Sequence, residues 1–214
     1  MGAPALWVRV SFSEANIIMI SSNSRTTDYE INPVFLDRWS PRAFTGEEIS
    51  ETDLLLLLDA ARWAPSSYNS QPWRFLYARK GTAHWDKLFG LLNPFNQSWV
   101  QHASALVIVV SNSTMLPPGA EKRVPSHSHS FDAGAAWGYL ALQASMSGWA
   151  AHGMVGFDFA RAFTELNVPE GYRVEAAVAI GRKGDKSILP PQLAEREAPS
   201  PRLALSEIAM EGGF

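Results

Sequence analysis

Residues 53–63, DLLLLLDAARW, set five consecutive leucines inside one helical stretch. Ser50 and Asp53 have the spacing of a capping box just before them, which fixes where that helix starts. An unbroken leucine run has no amphipathic period, so the expectation is a helix buried nearly all round. Burying such a helix needs a large core. The 214 residues, 46% hydrophobic and 18% charged, are enough for one globular domain that can supply it.

Directly after the helix the chain changes character. Residues 64–75, APSSYNSQPWRF, carry two prolines, three serines, an asparagine and a glutamine, with Arg74 the single charge. A plain loop needs less. Strands are expected at 73–80, where WRFLYARK alternates, at 105–111 (ALVIVVS, a continuous β-branched run) and at 172–183. Helices are expected from Pro33 to about Asp37, over 82–92, over 131–151 and over 158–167. Residues 112–130 read as a long irregular surface loop. Gly134, Ala135, Ala136 and Gly138 would let a neighbour approach the 131–151 helix closely. Helices and strands mix without regular β-α-β alternation, so the fold class is α+β. Residues 1–32 read as a loosely ordered extension in which Met19 offers an alternative start, and residues 33–214 as the folded domain.

Composition excludes several kinds of chemistry. With no cysteine there are no disulfides, thiolate nucleophiles or cysteine-ligated metal centres, which suits a reducing cytoplasm. A formal charge of −3 gives no basic footprint for nucleic acid or anionic membranes. His127, His129 and Asp132 lack the third ligand and spacing that a metal site needs.

Five short segments carry candidate chemistry. In RWSPRAF (38–44), Arg38, Ser40 and Arg42 would converge on one side of an extended chain, as a seat for phosphate or carbonyl oxygens; a solvated helix end is the plain alternative. Pro65, Ser66, Ser67 and Asn69 offer short polar groups on a fixed backbone, or a simple turn. Asn96 in NPFNQSWV presents an amide that both donates and accepts, or else caps a helix. Gly153 and Gly156 in HGMVGFD allow a ligand near bare backbone, or mark a turn. Arg202 in APSPRLALSEI is a further anion contact or a surface arginine.

In this order and spacing, from about residue 34 onward, the segments resemble the nitroreductase family of FMN-dependent oxidoreductases. The resemblance implies a central, mostly antiparallel sheet flanked by helices, in an intertwined homodimer with flavin at the subunit interface. Arg38, Ser40 and Arg42 would hold FMN from one subunit, and Pro65, Ser66, Ser67 and Asn69 from the other. Asn96 would meet the pyrimidine edge, the backbone of Met154, Val155 and Gly156 would face the ring, and Arg202 would bind phosphate. NADH or NADPH would deliver hydride, and a nitroaromatic, quinone or related small acceptor would remove it by ping-pong turnover. Arg42 would stabilise negative charge on the reduced ring. A flavin-binding protein without turnover, or a dehalogenase or dehydrogenase on the same scaffold, would present the same site. Two departures stand out. Trp99 occupies a position where some members carry lysine, and Leu203 and Ala204 replace a basic residue and proline.

Overall fold

The computed structural model describes residues 23–214; residues 1–22, most of the expected extension and Met19 among them, lie outside the described residues. A four-stranded antiparallel sheet runs in the order β1 (Trp73–Arg79), β2 (Ala105–Asn112), β6 (Tyr172–Gly181) and β5 (Ala150–Met154). β3 (Thr114–Met115) and β4 (Val124–Pro125) form a separate small pair. The helices are α1 (Val34–Asp37), α2 (Glu51–Ala61), α3 (Trp85–Phe89), α4 (Pro94–Val100), α5 (His129–Met146), α6 (Phe159–Glu165), α7 (Pro191–Ala194) and α8 (Leu205–Ile208).

The period of two along β2 organises the interior. Leu106, Ile108 and Val110 enter a core with Trp85, Trp99, Phe157 and Leu193. Ala105, Val107 and Val109 enter a second core with Leu54, Leu57, Trp73, Ala136, Leu140 and Trp149. Helices therefore cover both faces of the sheet, α2 and α5 on one side and α3, α4, α6 and α7 on the other. Ser50 caps α2 by accepting a hydrogen bond from Asp53 N at 3.0 Å.

Three expectations change. The leucine helix is not buried all round: Leu54, Leu57 and Leu58 face the core, but Leu55 and Leu56 are 44% and 46% exposed. A helix packed on one side can bury only the residues on that side, whatever their hydrophobicity. The 131–151 helix starts two residues earlier and stops at Met146, where Gly148 turns the chain with a φ of 73°. The residues that follow form β5, paired with β6 from Ala150↔Gly181 to Met154↔Ala177. The 112–130 stretch is not wholly irregular: β3 pairs with β4, and Arg123 Nε donates to Thr114 Oγ1 at 2.8 Å across that pair.

The burial difference along α2 gives a direct test. Leu57→Ala empties a fully enclosed site and should lower unfolding free energy by about 3 kcal/mol in a urea titration.

Candidate functional site

Two neighbouring cavities share Ser40 in their walls. The first, about 370 Å³, is lined by five arginines (Arg25, Arg38, Arg42, Arg196 and Arg202) together with Ser40 and His152. The second, about 340 Å³, lies between α5 and the β5–β6 edge, against Trp137, Gly153, Met154, Val155 and Ala176.

The arginine segment is held by long-range contacts. Phe44 bridges to Lys183 beyond the end of β6. Glu197 Oε1 accepts from Arg42 N at 2.6 Å and Ala43 N at 2.8 Å, while its Oε2 lies 3.9 Å from Arg42 Nη1. The carboxylate is almost fully enclosed, and Oε2 has no hydrogen-bond donor among the described residues. Pro41 O meets His152 Nδ1 at 3.0 Å, and the His152 ring packs on Trp99 at 4.7 Å between centroids.

Charge at this site is lopsided. Burial, and then the nearby Arg202, pushes the Arg38 guanidinium below its ordinary pKa. Arg25 is pushed the same way by burial, Arg202 and Arg38. Guanidinium forks gathered in this way around a cavity select anions, phosphate above all.

The second cavity is shaped by packing within the chain. A Cβ at Gly153 would lie 3.1 Å from the Trp137 ring, and one at Gly156 would lie 2.5 Å from Asn96 Nδ2. Both glycines are thus needed to admit protein side chains; this is an internal reason for them besides ligand approach. Asn96 does not cap α4; Asn93 does, by accepting from Asn96 N at 2.9 Å. Asn96, only 7% exposed, donates to Gly156 O at 2.9 Å and accepts from Trp99 Nε1 at 3.2 Å. The amide therefore ties α4 to the segment after β5, and Trp99 is a core residue.

Of the residues singled out in the sequence, Arg38, Ser40, Arg42 and Arg202 meet at the first cavity, and Met154 and Val155 at the second. Gly156 lies beside Asn96 rather than in either lining. Pro65, Ser66, Ser67 and Asn69 line neither cavity of the single chain. Their segment is anchored by buried Asp132, which accepts from Ser67 N at 3.2 Å and Ser128 Oγ at 3.0 Å. Tyr68, Asn69 and Gln71 all adopt positive φ, near 51°, 53° and 45°. Asparagine tolerates that conformation, but tyrosine and glutamine are strained there, and such strain gathers at functional sites. His129 points elsewhere: its Nδ1 lies 2.7 Å from Ser111 Oγ and 3.6 Å from Glu175 Oε1. Arg25, Arg196, His152 and Glu197 escaped the sequence reading because no local motif marks them.

Known proteins share this fold. The Nitroreductase family model matches residues 36–93. The crystal structure of an oxidoreductase containing FMN is 50% identical, with a TM-score of 0.87, over 92% of this chain and 98% of that one. An oxygen-insensitive NADPH nitroreductase from Helicobacter pylori is 38% identical over 74 residues, 34% of each chain, so that alignment takes in about a third of the relative. A nitroreductase family protein from Clostridium difficile, 21% identical, shares the fold with a TM-score of 0.63 over 85% of this chain and 97% of its own. An antiparallel sheet enclosed by helices makes the fold α+β, and the 50% identical relative places the chain among flavin-dependent oxidoreductases. The chain belongs to the nitroreductase family.

His152 makes the site sensitive to acid. Burial, the largest cause, holds its pKa below the ordinary 6.5, although the Pro41 carbonyl opposes the shift. The unfolded chain then takes up the proton more readily than the folded one. This residue's contribution to stability is complete above pH 6.5 and is lost as pH falls through the folded-state pKa. Denaturant midpoints measured downward from pH 7 should fall for the wild type and fall less for His152→Asn.

Proposed function

We propose that the protein is a cytoplasmic, homodimeric FMN-dependent oxidoreductase that uses NADH or NADPH to reduce small acceptors such as nitroaromatics or quinones. The observation that carries this reading is that the arginine-lined cavity and the Trp137–Val155 cavity lie side by side with Ser40 in both walls. One end suits a phosphate and the other a flat ring, which is the outline of a flavin mononucleotide. The FMN named for the 50% identical relative supports the same reading. Bound FMN supplies the hydride relay between nicotinamide and acceptor.

The chain's own groups then have distinct tasks. Arg38 and Arg202 hold the phosphate, and Ser40 lies between the two ends of the ligand. The backbone of Met154, Val155 and Gly156 faces the ring. Asn96 fixes the Gly156 carbonyl and keeps a second amide hydrogen for the pyrimidine edge. Arg42 would offer positive charge to the reduced ring, and Glu197 fixes its backbone by accepting from the amides on either side of the Arg42 Cα. Residues 33–214 form the folded domain that carries this site, and Arg25 reaches its wall from the preceding segment.

Several uncovered surfaces support the dimer. Leu55 and Leu56 on α2, and Phe131, Tyr139 and Met146 on α5, are apolar and exposed in the single chain. A Cβ on Gly134 or Gly138 would meet nothing within 4 Å, so that stretch of α5 is open to close approach. Leu203, Leu205, Ile208, Met210 and Phe214 leave the C-terminal tail apolar and uncovered as well. Apolar surface of this extent marks an interaction site. A two-fold partner, the commonest closed arrangement, would also bring its strained Pro65–Asn69 segment to the flavin and complete the site.

The purified protein should be yellow, with a flavin-to-chain ratio near unity, and light scattering should give twice the 23.5 kDa chain mass. It should oxidise NADH or NADPH when an acceptor is added. Colourless protein that takes up no FMN would sink the proposal. Arg42→Ala should lower the bound flavin's potential by about 30 mV or more, since about 1.4 kcal/mol corresponds to that shift in a two-electron couple. Arg38→Ala should weaken FMN binding more than Arg42→Ala does. A normal potential in Arg42→Ala would leave Arg42 with a structural role at Glu197.

A further inference from the structure

Arg25 lies outside residues 36–93, the part matched by the family model, yet its guanidinium reaches the wall of the arginine-lined cavity. Nε donates to Ser200 O at 2.9 Å. Nη1 donates to Leu36 O at 3.0 Å and to Arg38 O at 2.9 Å. These carbonyls belong to the two segments that also carry Arg38 and Arg202. One side chain thus clamps both arginine-bearing segments from the N-terminal side. Asn23 supports it, accepting from Arg25 N at 2.9 Å and donating to Leu36 O at 3.0 Å.

The clamp has an electrostatic peculiarity. It brings a third guanidinium beside Arg38 and Arg202, and it does so with neutral carbonyls instead of a carboxylate. Like charges held this close destabilise the fold unless an anion joins them. Among the described residues only Nε and Nη1 find acceptors, so the guanidinium of this cavity-lining residue keeps donor capacity in Nη2. A purely mechanical strap would need no cation at this position.

We propose that Arg25 is a phosphate-end contact of the flavin site, and that residues 23–38 form a strap that bound phosphate holds in place. The proposal rests on the flavin reading above, and it assigns the segment before α1 a part in cofactor retention. Because Arg25 contacts only the phosphate end, it should distinguish FMN from riboflavin, which has the same ring and ribityl chain but no phosphate.

The test uses full-chain holoenzyme loaded with FMN or with riboflavin, with flavin release on dilution followed by recovered flavin fluorescence. Arg25→Gln should weaken FMN binding by about 10-fold or more, the scale of a lost charge-assisted hydrogen bond, and riboflavin binding by less than about 2-fold. In wild-type protein, FMN but not riboflavin should slow amide hydrogen exchange across residues 23–38, a readout that does not depend on how the variant folds. Equal weakening of both flavins, unchanged FMN binding in the variant, or exchange that ignores the phosphate would each overturn the strap. Wild-type protein that holds neither flavin would overturn the cofactor reading itself, so the two failures are distinct.

Discussion

Strand β2 is buried on both faces, and the rest of the architecture follows from that constraint. Its odd and even residues enter different cores, so each face of the sheet must carry helices. α2 and α5 close one face and the shorter helices close the other. β5 is left at the edge of the sheet, with its own side chains only partly covered. The edge is where backbone and small side chains stay open to a ligand, and the ring-sized cavity forms there. The arginine segment reaches the same edge because Phe44 is buried against the end of β6 and Glu197 grips the amides of Arg42 and Ala43. The site is therefore assembled from pieces more than 100 residues apart in sequence, held together by one sheet.

How legible such a site is depends on how local its causes are. The strands at 73, 105 and 172 were readable because β-branched and aromatic residues recur at the right period. The start of α2 was readable because a capping serine acts within one turn. β5 was not, since Ala150, Ala151, His152 and Gly153 have little strand character of their own and become a strand by pairing with β6. The arginines at 38 and 42 could be singled out from their spacing. Glu197 and Arg25, which organise them, could not, because their contacts span 155 and 175 residues. Gly156 is a subtler case. It could be noticed as a glycine that admits something close, but only the structure shows Asn96 occupying the space that a side chain would need.

The strained segment and the uncovered helix faces bear on the same point from different directions. Positive φ at Tyr68 and Gln71 is unfavourable by roughly 1–2 kcal/mol each, and such conformations persist when surrounding contacts fix them. Asp132 supplies one such contact through Ser67 N, and Ser66 Oγ another by accepting from Gln71 N at 3.0 Å. Neither contact requires a ligand in the same chain, and neither cavity of that chain touches the segment. A rigid, strained, polar loop beside exposed Leu55, Leu56 and Phe131 is understandable as a part presented to a second subunit. In that arrangement the outward leucines of α2 are no exception to burial. The proposed dimer would bury them between subunits rather than within the chain.

Electrostatics divides the site into two parts. Among the described residues, Arg42 is the one of the five guanidiniums around the first cavity that forms an ion pair, with Glu197. That pair is local to the fold and forms with it. Arg25 and Arg38 instead lie near Arg202; burial first, and then that charge, pushes both guanidiniums below their ordinary pKa, so an anion entering the cavity would relieve the repulsion. Any anion that binds there favours the folded chain over the unfolded one and stabilises it by mass action. It also draws residues near the N-terminus toward residues near the C-terminus, because Arg25 bridges Arg38 and Ser200. If the proposed strap holds, cofactor retention and the Arg25 bridge between Arg38 and Ser200 form one equilibrium, while the double-sided core around β2 rests on packing alone.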